Sequence, residues 1–247
     1  MWTPVRRRSV SDEVFDQLKS RIVRGEMAPG APLPSERKLA ELLGVNRGAL
    51  REALKRLEQA RLVSIQHGGT TRVESFLDTA GMDLLTEMLF TSQGTLDTQV
   101  VRGVMEMRSA LAPDIARLAA LRATEDDKDA LLDLVGQMER QARDRGKRQR
   151  LAMAFWGTMV AASQNIAYRL AYNTLNRSYQ QFFEVMTDVL AAELDDLAAY
   201  RAIADAIDRG DTAAAEKRTT ALISKGADQV FELMNALEAE ATKGDVR

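Results

Sequence analysis

The chain has no cysteine and a single histidine, His67, among its 247 residues. Disulfides and thiolate metal sites are excluded, and a reducing cytoplasm is the expected compartment. The same scarcity makes Ser/His and Cys/His nucleophile systems implausible. No run of 18 apolar residues occurs, and the opening MWTPVRRRSV has no apolar segment behind its arginines. Neither a membrane span nor a signal peptide is expected. A Walker loop and a G-x-G-x-x-G turn are both missing. The paired acids Asp126-Asp127 and Asp195-Asp196 read as charges at helix N-termini. An enzyme is therefore not expected, nor a metal, nor a cofactor.

What is present divides unevenly. Residues 1–75 carry 14 Lys/Arg against 9 Asp/Glu, a balance of +5, which leaves 20 against 27, or −7, for the rest. A basic head on an acidic body suits a phosphate-binding module joined to one of another kind, although uneven surface charge also occurs without function. Hydrophobic residues make up 45% of the chain, enough for a core in each part.

The head reads as helices followed by a hairpin. Ser11 is expected to cap a helix with Asp12 and Glu13 in its first turn, burying Val14, Leu18 and Ile22, with Phe15 beside them and Gly25 at its end. Met27 to Pro34 holds three prolines and reads as a connector. Ser35 caps a second helix that is expected to bury Leu39, Leu42 and Leu43. Gly44 supplies the turn, and Val45 plugs the space between helices. Asn46 caps a third helix, whose Leu50, Leu54 and Leu57 face inward. Arg47, Arg51 and Lys55 then fall on its outer face at four-residue spacing. Alone, such a stripe reads as a solvated face. Between a tight turn and a hairpin it is the recognition face of a winged helix-turn-helix, where an Arg fork can bind guanine O6 and N7. Arg37 can reach phosphate or base edges. Val63 and Ile65 alternate with polar residues before Gly68-Gly69 turn the chain, and Thr71 to Val73 return. His67 sits at that turn, open to a structural or a DNA-contacting role.

Beyond Asp78 no strand pattern appears. Met82, Leu85, Met88 and Leu89 suit a connecting helix. Leu96 to Leu121 predicts a long helix with Val100, Val101, Val104, Met107, Leu111, Ile115 and Leu118 on its apolar side and Pro113 within it. Further helices are expected at about 125–144, 148–163, 166–191, 193–209 and 212–241, bounded by Gly146, Ser163-Gln164-Asn165 and Gly210-Asp211. Few aromatics and many Ala, Leu and Met suit an antiparallel bundle. Met fills core gaps and also adapts to a flexible apolar ligand. The fold class is mainly α, an N-terminal winged helix-turn-helix plus a C-terminal all-α antiparallel helix bundle. The expected divisions are 1–75 (DNA-binding), 76–95 (linker helix) and 96–247 (effector-binding and dimerisation).

The segment PSERKLAELLGVNRGALREALKRLEQARLVSIQHGGTTRV resembles the DNA-binding domain of the GntR family of bacterial transcription regulators. That resemblance implies a homodimer on a short interrupted palindrome of double-stranded operator DNA. It assigns the main contacts to Arg37, Arg47 and Arg51, with Asn46, Gly48, His67, Gly68 and Thr71 supporting. Relatives often carry Thr or Ser at the helix tip, where this chain has Gly48 and Ala49. The all-α body resembles the FCD type, or FadR subfamily, many of whose members hold a metal through one carboxylate and three histidines. Without histidine in the body that site cannot be built. VSIQHGGTTRVESFLDTAGMDLLTEML and VMEMRSALAP are instead similar to the metal-free, fatty-acid-responsive branch.

In that branch a long-chain acyl-CoA releases the operator. The resemblance puts Arg108 at the CoA end, Tyr172, Asn173 and Tyr179 along the pocket, and Phe231 in place of an aromatic residue. Ser224 falls within Ile223-Ser224-Lys225-Gly226, which replaces a glycine-rich CoA contact. From the residues alone, Arg108 fits equally an ion pair with Glu106, Asp114 or another helix. Two other readings stay open: a small carboxylate effector held by Arg108 without metal, and a helical protein-interaction scaffold.

Overall fold

Ser9, not Ser11, starts the first helix, α1 (Val10–Val23). Its hydroxyl accepts the Asp12 N–H at 3.2 Å while the Asp12 carboxylate accepts the Ser9 N–H at 3.0 Å, a reciprocal cap that Ser11 cannot make. Ser11 is buried instead. The computed structural model describes residues 9–65, 70–78, 81–90, 95–141, 144–181 and 183–244. The chain divides into two units, Met1–Asp97 and Thr98–Arg247.

In the first unit α1 packs on α3 (Arg47–Gln59), with α2 (Glu36–Leu43) beside it. Val14, Leu18, Ile22, Leu50, Leu54 and Leu57 are buried as their spacing predicts. The α2 stripe differs: Leu39 and Ala40 are buried, Leu43 packs at the edge, and Leu42 is 62% exposed because it falls off that stripe. Gly44 stands at φ +66°, so Val45 N–H reaches back to the Ala40 carbonyl at 3.0 Å and the chain turns at once into α3.

The hairpin pairs β1 (Val63–Ser64) with β2 (Arg72–Val73), Val63 opposite Val73. Residues 30–33 extend it on the other side of β2. Gly30 and Leu33 donate to the Val73 and Thr71 carbonyls at 2.8 Å, and Val73 donates to Ala31 at 3.0 Å. The Pro-rich connector is thus a third strand-like edge, with Pro32 at the position where no N–H is required. The expected linker helix is instead a 3-10 turn at Phe76–Asp78, another at Met82–Leu84, and a single turn, α4 (Leu85–Met88). Leu84 and Met88 pack into the core of this unit.

The second unit holds α5 (Thr98–Arg122), α6 (Glu125–Arg140), α7 (Arg145–Ala162), α8 (Ile166–Gln181), α9 (Phe183–Val189), α10 (Ala191–Leu194), α11 (Leu197–Asp208) and α12 (Thr212–Gly244). The longest helix, α12, lies along α5, and α6 packs on α7 and α11. Pro113 sits inside α5. The α5 stripe shifts from the expected one. Met105, Ala112, Ile115, Ala116 and Leu118–Ala120 are buried, whereas Val100, Val101, Val104, Met107 and Leu111 are only partly covered.

Gly146 lies within α7, whose cap is Asp144. The stretch expected as one helix over 166–191 is interrupted at Leu190, which caps α10. Asp127 completes the cap of α6, and Asp196 caps α11. Asp195 stands at the C-terminal end of α10, not at a helix N-terminus, and takes Arg145 at 2.8 Å and also pairs with Arg148. Among the described residues no helix is long and apolar enough to cross a membrane.

Several carboxylates of this unit are held below their ordinary range in the folded state. A hydrogen bond from Arg145 does so for Asp195, one from Lys225 for Asp196, and one from Arg201 for Glu139. A lowered folded value stabilises the fold above the unfolded carboxylate range, and that contribution is lost as pH falls through the folded value. The melting temperature of the helical unit is therefore expected to decline below about pH 4. Thermal unfolding at constant ionic strength measures this, and Asp195→Asn should make the decline shallower.

Candidate DNA interface and effector site

The head presents its cations on one side of α3. Asn46 accepts the Ala49 N–H at 2.9 Å and fixes the tip of that helix. A Cβ added at Gly48 would stand 3.2 Å from the Asn46 side-chain oxygen, so the glycine leaves this cap uncrowded. Arg47, Arg51 and Lys55 are all exposed along the outer face, and Arg37 is exposed at the start of α2. Arg51 is oriented: its Nε donates to Glu36 at 2.7 Å, which lays the guanidinium across the gap between α2 and α3. Thr71 is partly buried beside β2 and uses its carbonyl in the strand-like edge. His67 and Gly68 lie outside the described residues.

The centre of the helical unit holds a polar cluster in an apolar bundle. Arg108 comes from α5, and its Nη2 donates to Glu193 Oε1 of α10 at 2.5 Å. The Glu193 side chain is 3% exposed and that of Arg108 21%. Burial acts to lower the Arg108 value, but the charge and hydrogen bond of Glu193 outweigh it and the guanidinium is held above its ordinary range. Tyr200 donates to Glu193 Oε1 at 3.4 Å, and Trp156 places its ring 5.7 Å from the guanidinium carbon. Burial pushes the Tyr172 and Tyr179 phenols up to about 12, so both are neutral hydrogen-bonding groups at physiological pH. Tyr172 donates to the Met153 carbonyl at 2.8 Å, and Tyr179 accepts from Gln149 at 3.0 Å.

Arg108, Tyr172 and Tyr179 of the sequence reading are brought to one side of α7, where Trp156, Met153 and Gln149 meet them in turn. Asn173 and Ser224 are not part of this cluster: both point to solvent. Phe231 stacks instead against Arg102, 5.3 Å from its guanidinium carbon. Sequence reasoning missed Glu193, Tyr200, Gln149 and Trp156. The available signal was Glu193 itself, a single acid among Val189, Leu190, Ala191, Ala192 and Leu194. Among the described residues no group of acids or histidine has the arrangement of a metal site.

Residues 10–73 match the bacterial regulatory proteins of the gntR family, and residues 103–225 match the FCD domain. Over 220 residues, 89% of this chain and 91% of the relative, the sequence is 41% identical to the HTH-type transcriptional regulator Mce2R of Mycobacterium tuberculosis. The chain belongs to the GntR family. As a GntR regulator with an FCD domain it is a DNA-binding transcription regulator and not an enzyme. The stripe on α3 lies in the GntR segment, and Arg108, Glu193 and the tyrosines lie in the FCD segment. The chain is also similar to the fatty acid metabolism regulator protein of Vibrio cholerae, 34% identical over 118 residues, which is 48% of this chain and 42% of that one. In structure it resembles Lar of Listeria monocytogenes, with a TM-score of 0.58 at 18% identity over 93% of this chain and 100% of that one.

Proposed function

We propose that this GntR regulator acts in the cytoplasm as a homodimer on a short interrupted palindrome. Long-chain acyl-CoA, received in the FCD domain at Arg108, releases it. The observation that carries the effector half is a cation set inside an apolar bundle. Arg108 lies against Trp156 and shares Glu193 with Tyr200, next to a core rich in Ala, Leu and Met. An acyl chain requires such an interior, and its polar end requires a partner within it. The Vibrio relatives are named as regulators of fatty acid metabolism, which supports that field of regulation. A small carboxylate is disfavoured, because it would bring a second negative charge beside Glu193 at Arg108.

Release requires the ligand to favour one state strongly. Moving the population from 1:99 to 99:1 takes about 5.5 kcal/mol of differential affinity. Oleoyl-CoA titrated into the protein–operator complex, read by fluorescence anisotropy, is expected to free the DNA. Indifference to oleoyl-CoA would end the effector half and leave the DNA half standing.

In the head we assign base and phosphate contacts to Arg37, Arg47 and Arg51, with Asn46, Gly48, His67, Gly68 and Thr71 supporting. Arg51→Ala is expected to cost about 1–3 kcal/mol of specific binding. Its measurement is a comparison of operator and scrambled duplex at one salt concentration, and equal affinity of variant and wild type would remove Arg51 from the interface.

A further inference from the structure

Of the three arginines assigned to DNA, Arg51 alone has an acidic partner among the described residues. Its Nε donates to Glu36 Oε2 at 2.7 Å, across 15 residues of chain and the turn at Gly44 that sets α2 against α3. Glu36 is the first residue of α2, placed by the Ser35 cap, whose hydroxyl accepts the Lys38 N–H at 3.4 Å. The Arg51 and Glu36 side chains are 64% and 38% exposed, and an ion pair this open adds little to stability. Its consequence is for the guanidinium.

A guanidinium carries one hydrogen on Nε and two on each Nη. Glu36 takes the Nε hydrogen and leaves Nη1 and Nη2, the end-on fork that matches guanine O6 and N7. Holding that fork before DNA arrives removes part of the ordering cost of a free, long side chain. The carboxylate also cancels the Arg51 charge. A lone guanidinium is drawn to any phosphate, and phosphate neutralisation is the source of sequence-independent binding. A guanine edge presents neutral acceptors, so it is repelled less by the nearby carboxylate than a phosphate is.

We propose that Glu36 is a specificity-determining residue of the head: it positions Arg51 for a guanine and makes that arginine a poor ligand for phosphate alone. The inference rests on the assignment of Arg51 to the interface. Geometry raises affinity for the operator, charge lowers affinity for other DNA, and both act on the ratio of the two.

The full-length protein and its Arg51→Ala, Glu36→Gln and Glu36→Ala variants each enrich duplexes from one random pool, and sequencing gives the base preference at every position. Arg51→Ala is expected to erase a guanine preference in each half-site, which marks the base that Arg51 reads. Glu36→Ala is expected to weaken that same preference by about 5-fold or more and to leave the other positions unchanged. Glu36→Gln keeps an acceptor for Nε without the charge, so it retains more of the guanine preference. On a scrambled duplex both Glu36 variants are expected to bind more tightly than wild type. The slope of log affinity against log salt should steepen by up to about 0.9 per head.

Glu36→Ala with the wild-type guanine preference overturns the proposal, while an Arg51→Ala protein that has lost it keeps Arg51 at the interface. Preferences weakened at every position alike would make Glu36 a structural residue and overturn it too, as does scrambled-duplex binding that neither variant tightens. An unchanged selection by Arg51→Ala overturns this inference together with the assignment of Arg51. Should Glu36→Ala enrich no duplex, Glu36→Gln on the scrambled duplex decides alone.

Discussion

Replacing Phe155 by alanine is expected to lower the stability of the helical unit by about 3–5 kcal/mol. The ring is fully buried and meets Tyr200 edge-on at 5.2 Å and 81°, and Trp156 at 5.9 Å and 86°. Truncation therefore removes the transfer energy of a large side chain, leaves a cavity, and deletes two favourable aromatic contacts. Tyr200 and Trp156 also stand against the Arg108–Glu193 pair, so the cavity opens next to the polar cluster. For a unit of this size the loss corresponds to a melting shift on the order of 10 °C.

The two hydrophobic clusters share no residue, so calorimetry should show the effect in one transition. Leu57→Ala, which empties a fully buried position in the head, is the control. It is expected to cost about 2–5 kcal/mol in the other transition. Both variants moving a single shared transition would show that the units unfold together.

What the sequence revealed of this architecture was what depends on near neighbours. Asn46 and Ser35 are caps because cap geometry is set within four residues, and both stand where their residue type predicts. Leu50, Leu54 and Leu57 follow the helical period and are buried. Ser9 and Ser11 both precede the same acids, and the reciprocal bond with Asp12 decides for Ser9. The α5 face departs from its periodicity for a different reason. Its covered side is set by the helices packed on it, α12 foremost, and it buries small residues such as Ala112, Ala116 and Ala119 while the valines stay only partly covered. Pro32 reads as a turn residue, and only the far partner β2 makes it part of a sheet edge. In the candidate site the cation was legible and its counter-ion was not. Arg108 and Glu193 are 85 residues apart and no local pattern joins them. Asn173 and Ser224 entered by resemblance alone, and the helix faces they occupy turn them to water.

Arg108→Ala is expected to destabilise the helical unit by about 3–5 kcal/mol, because it strands a carboxylate that is 3% exposed. The 21% exposure of Arg108 places the value toward the lower end, since some water can enter the space it leaves. The paired change Arg108→Met with Glu193→Met is the informative companion. Replacing both charges by flexible apolar chains of similar length is expected to return stability to within about 1–2 kcal/mol of the wild type, or above it. Tyr200 then loses only a long 3.4 Å contact, and Gly226 still leaves room for an unbranched chain.

Chemical denaturation of the three proteins, followed at a wavelength that reports Trp156, gives the two differences. A double variant that is stable and binds operator yet ignores oleoyl-CoA would separate the two roles of the pair. Such a result means that the fold does not need these charges, and that their retention in an apolar bundle serves the recognition of a ligand. A double variant as unstable as Arg108→Ala would instead make the ion pair a structural requirement, with Glu193 held in place for the packing of α10 on α12.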